Sequence, residues 1–301
     1  MKSMKTTQDY IMRAMAGNGS VRIFGATTRN LVAKAQSLHH TTPVATAALG
    51  RLLTAAAMMG ATLKNDSDIL TISIKSDGPL GGVVATTDNQ SRVKGYVNNS
   101  QVELMTNAQG KFDIGGAVGA GHLMIIKDLG LKEPVSGQVE LVSGEIAEDI
   151  TYYFAASEQT PSSVALGVLI DTDLSVKQAG GYIIQLMPDA SEAVITHLEK
   201  ILPTTPAITS LLESGKTLED IIKMLFEGFD VEFYDEEKIY PEFLCNCSTE
   251  KTRRALINIG VDELKIILEE DKGANIHCHF CNKDYKFSEE DIQAILQNTH
   301  P

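Results

Sequence analysis

The chain has 301 residues, of which 43% are apolar and 22% charged, with a formal net charge of -13. That length exceeds one ordinary core and points to two or three domains. The acidic balance argues against a nucleic-acid partner, whose phosphates require clustered Lys and Arg, and against an anionic membrane surface.

Residues 1–20 contain no apolar run, so a secretory signal is not expected there. The fold class expected is α+β, beginning with a mixed sheet-and-helix N-terminal domain over residues 1–188. Thr42 followed by Pro43 marks a helix start, because proline at the first helical position gives up no hydrogen bond. Residues 43–63 come nearest to a membrane span, but Ala and Thr dominate and Arg51 lies near the centre. A helix buried in a protein core is therefore the expectation, and no membrane partner. Ile69-Leu-Thr-Ile-Ser-Ile-Lys-Ser76 alternates with period two and breaks at Asp77-Gly-Pro-Leu-Gly-Gly82. Short strands are expected at 83–87, 92–97, 123–127 and 138–142, then a final pair at 164–171 and 181–187. A helix at about 145–157 interrupts them, with Glu145, Glu148 and Asp149 near its positive end.

Over residues 189–230 the strand signal stops, and three short helical patterns follow at 191–202, 206–214 and 218–226. Thr205 before Pro206, and Thr217 with Asp220 three positions on, mark two of the starts. Helices this short are marginal without tertiary packing. Residues 211–240 also hold nine acidic residues against three lysines. Two readings stay open: a weakly held helical linker, or an ordinary helical subdomain. Residues 231–301 form the third expected unit, with a helix after Ser248, one from about Asp262, and a last helix opened by a Ser288/Asp291 capping box. Some seventy residues make too small a core to be secure alone, and a structural metal would supply what is missing.

All four cysteines fall in that unit, at Cys245, Cys247, Cys278 and Cys281. Cys278-His-Phe-Cys281 has the spacing of a zinc knuckle, whose tight turn brings two sulfurs to one metal. Cys245-Asn-Cys247 is a tighter chelate of the same kind. Together they form a four-thiolate set for one Zn2+ with no position open to substrate, so the zinc is expected to be structural rather than catalytic. His277 and His279 flank Cys278 and are read as solvated or supporting, since four thiolates already complete the set. A thioredoxin-like dithiol would need CxxC to open a helix, and Asn282-Lys-Asp-Tyr285 reads instead as a turn. With no export signal and no scattered cysteine pairs, the expected compartment is the reducing cytoplasm. Metal-bound thiolates are also the form that oxidants attack. Each cysteine has a partner two or three positions away, so the spacing permits local disulfides and metal loss. An inert structural zinc remains the better reading from spacing alone.

CxC, thirty intervening residues, then CxxC in a chain of this length resembles the bacterial redox-regulated 33 kDa chaperonin family. The resemblance spans nearly the whole chain. It includes Phe243-Leu-Cys-Asn-Cys247, Ser143-Gly-Glu-Ile-Ala-Glu-Asp-Ile-Thr-Tyr-Tyr153 and Ser157-Glu-Gln159. It also takes in Gly180-Gly-Tyr-Ile-Ile-Gln-Leu-Met-Pro188 and Lys75-Ser-Asp-Gly-Pro-Leu-Gly-Gly82. The resemblance implies an ATP-independent, zinc-dependent heat-shock holdase, inactive when reduced. It further implies that oxidation forms Cys245–Cys247 and Cys278–Cys281 disulfides, releases zinc and unfolds the C-terminal region. Unfolding client proteins are then bound, by a form that is a homodimer. Ile221, Ile222, Met224, Leu225 and Phe226 are candidate client contacts when exposed, and ordinary packing residues at rest.

Two other classes, an enzyme and a nucleic-acid ribbon, fit the sequence less well. For an enzyme, the Gly115-Gly-Ala-Val-Gly-Ala-Gly121 run fits neither GxGxxG nor a P-loop, and no HExxH or GxSxG is present. His39-His40 precedes a core helix and reads as structural or solvated, so no catalytic residue is expected. For a nucleic-acid ribbon, Lys251, Arg253 and Arg254 form a small basic cluster, outweighed by the net charge of -13.

Overall fold

The computed structural model describes residues 8–103, 106, 110 and 112–299. It divides into two compact units at the Leu244–Cys245 junction.

In the first unit, strands β1 (Ile11–Ala16) and β2 (Val21–Thr27) pair as a hairpin. The periodicity argument does not single them out: β2 is buried on both faces from Ile23 to Ala26, and β1, although its burial alternates from Met12 to Ala16, alternates methionine and arginine with alanine rather than large apolar with polar residues. Helix α1 (Arg29–His39) follows, then α2 (Pro43–Gly60), which begins at the proline as expected. The strands β3 (Ile69–Ser76), β4 (Val83–Asp88) and β5 (Arg92–Val97) form a meander. A short α3 (Ile114–Val118) occupies the glycine-rich run and leads into β6 (Gly121–Asp128) and β7 (Val135–Glu140). Here Gly119, at φ 78°, lies so close to Gly78 that a Cβ would sit 2.5 Å from its backbone nitrogen. The run thus serves a tight backbone approach. Helix α4 (Ala147–Ala156) precedes β8 (Ser162–Ile170) and β9 (Val176–Leu186).

Among the described residues of the first unit two sheets result, and α2 lies between them. It packs on β2, β8 and β9 of one sheet and on β3, β4 and β5 of the other. This explains why α2 is apolar on every side and rich in Ala: it has no solvent face, and small side chains permit close approach. At Gly50 a Cβ would come within 2.7 Å of both Val32 and Val168. Residues Pro43–Gly60 are the one described helix long and apolar enough to cross a membrane, and most of them are buried inside this unit.

The outer face of the first sheet is covered by α5 (Glu192–Ile201), α6 (Ile208–Glu213) and α7 (Leu218–Leu225). The Thr217/Asp220 capping box is present, with Asp220 N–H donating to Thr217 Oγ1 at 3.1 Å and Thr217 N–H to Asp220 Oδ2 at 3.0 Å. The start expected at Thr205 is displaced. Thr205 instead donates its hydroxyl to the Ile201 carbonyl at 2.9 Å, closing the preceding helix, and α6 begins after Ala207. Glu145 lies outside α4 and pairs with Arg51 at 2.5 Å. Asp149, with no exposed surface, accepts N–H bonds from Val142, Ser143 and Ile146 and so fixes the loop entering α4.

Residues 231–244, expected to belong with the cysteine region, run back over the first unit instead. β10 (Val231–Phe233) pairs antiparallel with β1, and β11 (Glu242–Phe243) pairs parallel with β5. The five-stranded sheet has the order β10-β1-β2-β9-β8, and the six-stranded sheet β11-β5-β4-β3-β6-β7. The segment therefore adds one edge strand to each sheet. Backbone groups at a strand edge must find partners, and that requirement outweighs the local composition.

The second unit contains α8 (Thr249–Asn258), α9 (Val261–Glu270), the hairpin β12 (Gly273–Cys278) and β13 (Lys283–Ser288), and α10 (Glu289–Thr299). Its core is small: Leu256, Leu264, Tyr285, Phe287, Ile292 and Ile295. Ser248 caps α8 by accepting from Lys251 N–H at 3.1 Å, and Ser288 with Asp291 forms the expected box at α10.

Candidate metal centre

The CxxC half of the cluster sits where β12 turns into β13. Cys281 N–H and Asn282 N–H both donate to the Cys278 carbonyl, at 3.2 and 2.9 Å, and Asn282 takes the left-handed conformation at φ 57°. Asn tolerates that conformation well, so the turn closes in two residues and aims both sulfurs to one side. The motif caps a hairpin and opens no helix, which removes the structural context of a thioredoxin-like dithiol. The CxC half precedes α8, whose cap at Ser248 fixes the chain immediately after Cys247.

The two halves converge. The Sγ atoms of Cys245, Cys247, Cys278 and Cys281 all lie within 4.8 Å of one another. The contacts run between the halves, Cys245 to Cys278 at 3.7 Å and Cys247 to Cys281 at 3.3 Å. A tetrahedral ion with Zn–S bonds of ~2.3 Å sets its sulfurs about 3.8 Å apart, so the donor set matches that group in number, chemistry and spacing. All four cysteines are free thiols and half-buried.

Electrostatics points the same way. Burial pushes the Cys245 and Cys281 thiols up, and the neighbouring sulfurs add to this at Cys281. At Cys247 burial also acts upward, but hydrogen bonds from Tyr285 and the adjoining thiols outweigh it and bring the group down to about 7. Four sulfurs this close cannot all ionise without a cation among them. A bound divalent metal removes that conflict.

One supporting residue has no signature in the cysteine spacing. The Tyr285 hydroxyl donates to Cys247 Sγ at 3.0 Å, and that bond holds the phenol well above its ordinary range. Tyr285 alternates with Phe287 as an inward residue of β13, which is visible in sequence. Its aim at a sulfur thirty-eight residues away follows from the packing of the unit. His277 and His279 are not part of the cluster of potential ligands. His277 Nδ1 pairs with Asp284 Oδ1 at 2.8 Å across the hairpin, where the two residues are in register.

The remaining candidates lie in the first unit. Ile221, Ile222, Leu225 and Phe226 are buried and Met224 is partly buried, all packed on the cluster that includes Met12, Ala14 and Ile23.

A family model described as Hsp33 protein matches residues 9–288. The chain belongs to the Hsp33 family. The 33 kDa chaperonin of Clostridioides difficile is 53% identical over 291 residues, covering 96% of this chain and 99% of that one. The 33 kDa chaperonin of Acetivibrio thermocellus is 48% identical, with 96% and 97% covered. The crystal structure of the 33 kDa chaperonin, a heat shock protein 33 homolog, from Thermotoga maritima superposes with a TM-score of 0.88 at 35% identity, covering 97% of this chain and 99% of that one. The Hsp33 match takes in both sheets, the three short helices and the four cysteines. It makes this chain a chaperonin of the Hsp33 type, with the α+β architecture read from its sequence.

Proposed function

We propose that this chain is a redox-switched, ATP-independent holdase, silent while its four thiolates share one Zn2+ and active once they are oxidised. The observation that carries the reading is the convergence of four free thiols in a unit whose apolar core is too small to stand alone. Zinc, when bound, supplies a cross-link and keeps all four sulfurs as thiolates.

Oxidation removes that cross-link by geometry. Sulfurs around a metal stand about 3.8 Å apart, whereas a disulfide needs about 2.05 Å, so one set of sulfurs cannot satisfy both. In the proposed reaction Cys245 pairs with Cys247 and Cys278 with Cys281. Each new S–S bond gives two electrons to one peroxide molecule, whose O–O bond breaks to leave two hydroxides. The ligand set is then gone, and the folding free energy that depended on it is lost. Residues 231–244 end one residue before Cys245, so an unfolded second unit leaves them without an ordered anchor. Lifting them and the three short helices would expose Ile221, Ile222, Met224, Leu225 and Phe226 to unfolding client proteins. The nine acidic residues of 211–240 would keep the released segment solvated.

The same reading makes the protein a binder of unfolding polypeptides without turnover, acting in the reducing cytoplasm, a homodimer in its active form, with no nucleic-acid or membrane partner. The test is zinc stoichiometry in the reduced protein, then zinc release by peroxide with heat, read beside suppression of client aggregation. One zinc per chain, lost as suppression appears, is the expected result. Zinc kept, or lost with no gain in suppression, would leave an inert structural site and sink the proposal.

A further inference from the structure

Residues 231–244 do more than cover apolar surface: they complete the hydrogen bonding of β1. Tyr234 N–H donates to the Arg13 carbonyl at 3.0 Å, and Ile239 N–H to the Ile11 carbonyl at 3.2 Å. In return the Ile239 carbonyl accepts from Ile11 N–H at 2.7 Å, and one residue beyond both strands the Asp230 carbonyl continues the ladder by accepting from Gly17 N–H at 3.1 Å. Lifting the segment leaves those β1 groups unpaired, and an open strand edge takes up another strand.

The side chains of this edge choose what it takes. In the β1–β10 register Ala14 stands opposite Phe233 and Ala16 opposite Val231. Arg13 and Tyr234 form the hydrogen-bonded pair next to them, so Ala14 and Phe233 are a non-bonded pair, in which facing side chains come closest. Small residues on β1 therefore leave room for large ones on the added strand, at alternate positions. Val231 and Phe233 use that room, packed on the cluster of Met12, Ala14 and Ile23, while Glu232 between them is exposed.

The resident segment fills this edge poorly. Regular pairing with β10 is limited to Ala14, Met15 and Ala16; beyond it the segment reaches β1 through the Tyr234–Arg13 bond and the isolated bridge between Ile11 and Ile239. Glu232, Asp235, Glu236 and Glu237 crowd acidic charge beside it. The segment is held by a polar latch: Lys238 Nζ reaches Glu219 and Asp235, each at 3.0 Å, and the Tyr10 hydroxyl donates to Glu219 at 2.7 Å. Short, charged edge strands deter pairing with other chains. This one guards an edge that is apolar except for Arg13, which pairs with Glu237 of the segment at 3.2 Å.

We propose that β1 is a capture edge: once residues 231–244 lift, it binds an extended client segment with large apolar residues at alternate positions, as an added antiparallel strand. This rests on the redox-switched reading above. The edge of β5 is the weaker candidate, since β11 matches it over only Glu242 and Phe243, opposite Arg92 and Val93.

The experiment uses full-length protein, peroxide-oxidised, and a labelled peptide copying residues 230–240. Three forms are compared: unmodified, N-methylated at the Tyr234 and Ile239 positions, and N-methylated at the Phe233 position, whose N–H faces away from β1 by strand alternation. The expected result is binding of the first and third forms and at least about tenfold weaker binding of the second. Hydrogen exchange should slow at the Ile11 and Gly17 amides when the unmodified peptide binds. Equal binding of all three forms, or protection only elsewhere, would overturn the capture edge. Protection of those amides in oxidised protein without peptide, rising with protein concentration, would give the edge to a second copy and overturn the client assignment. Client-aggregation suppression measured on the same sample separates the two readings. Suppression with unprotected β1 amides defeats the edge alone, and absent suppression defeats the holdase reading with it.

Discussion

At the scale of single residues, the cysteine cluster depends on a group that is not a ligand. Tyr285 donates to Cys247 Sγ and so favours the thiolate there, and with the adjoining sulfurs draws that thiol down to about 7 against the effect of burial. Tyr285→Phe keeps the buried ring and deletes the donor. We predict a zinc affinity lower by about 10- to 100-fold, the usual size of such a supporting bond. The loss should be larger at pH 6 than at pH 8, because the Cys247 thiol must then shed its proton to bind. Competition with a chromophoric chelator across that range measures it, and an unchanged affinity would make the hydroxyl incidental. The convergence of the four cysteines was legible from spacing alone, since two short chelate-spaced pairs in one small unit have few other uses. The hydroxyl was not, because nothing local says where a strand's inward side chain will point.

At the scale of elements, α7 and the segment after it are joined by the latch of Glu219, Tyr10 and Lys238. Burial acts to raise the Glu219 carboxyl, but hydrogen bonds from Tyr10 and Lys238 outweigh it and leave it below its ordinary value of 4.5. A lowered folded value means that the ionised form is stabilised by folding. That contribution is complete above the ordinary carboxylate range and is lost as pH falls through the lowered value. We therefore predict that the opening free energy of the Ile239 amide, from hydrogen exchange corrected for intrinsic rate, decreases as pH drops below about 4.5. Glu219→Gln should show a value lower by about 1 kcal/mol at neutral pH, with that pH dependence removed. A variant that keeps the wild-type profile would show that Glu219 does not hold the segment. Sequence marked the start of α7 correctly, because Thr217 and Asp220 act within one turn. The latch joins residues more than two hundred positions apart, as Tyr10 and Glu219 are, and leaves no local trace.

For the whole molecule, the division at Leu244–Cys245 makes truncation informative. A chain ending at Tyr234 lacks Ile239 and β11, which pack on the larger core, and keeps only the three-residue β10 of the covering segment. It should suppress client aggregation with neither oxidant nor heat. A chain ending at Leu244 retains the whole segment and loses only its anchor, so it should need heat but no oxidant. A requirement for oxidant in either chain, in the same aggregation assay, would mean that the second unit does not control the first through this segment.

By itself the sequence determined the α+β class, the buried nature of the helix at Pro43, most strands of the six-stranded sheet, the short helices and the four-cysteine set. Each rests on a pattern that repeats within a few residues: period two, a cap, a chelate spacing. Only the tertiary structure decided that β1 and β2 are interior strands: burial on both faces from Ile23 to Ala26 erases the alternation of β2, and in β1 the inward positions Ala14 and Ala16 are too small to announce a strand. It also decided that residues 231–244 belong with the sheets of the first unit. Their acidic composition speaks for solvent, yet the unpaired edges of β1 and β5 need partners that only the folded arrangement brings within reach.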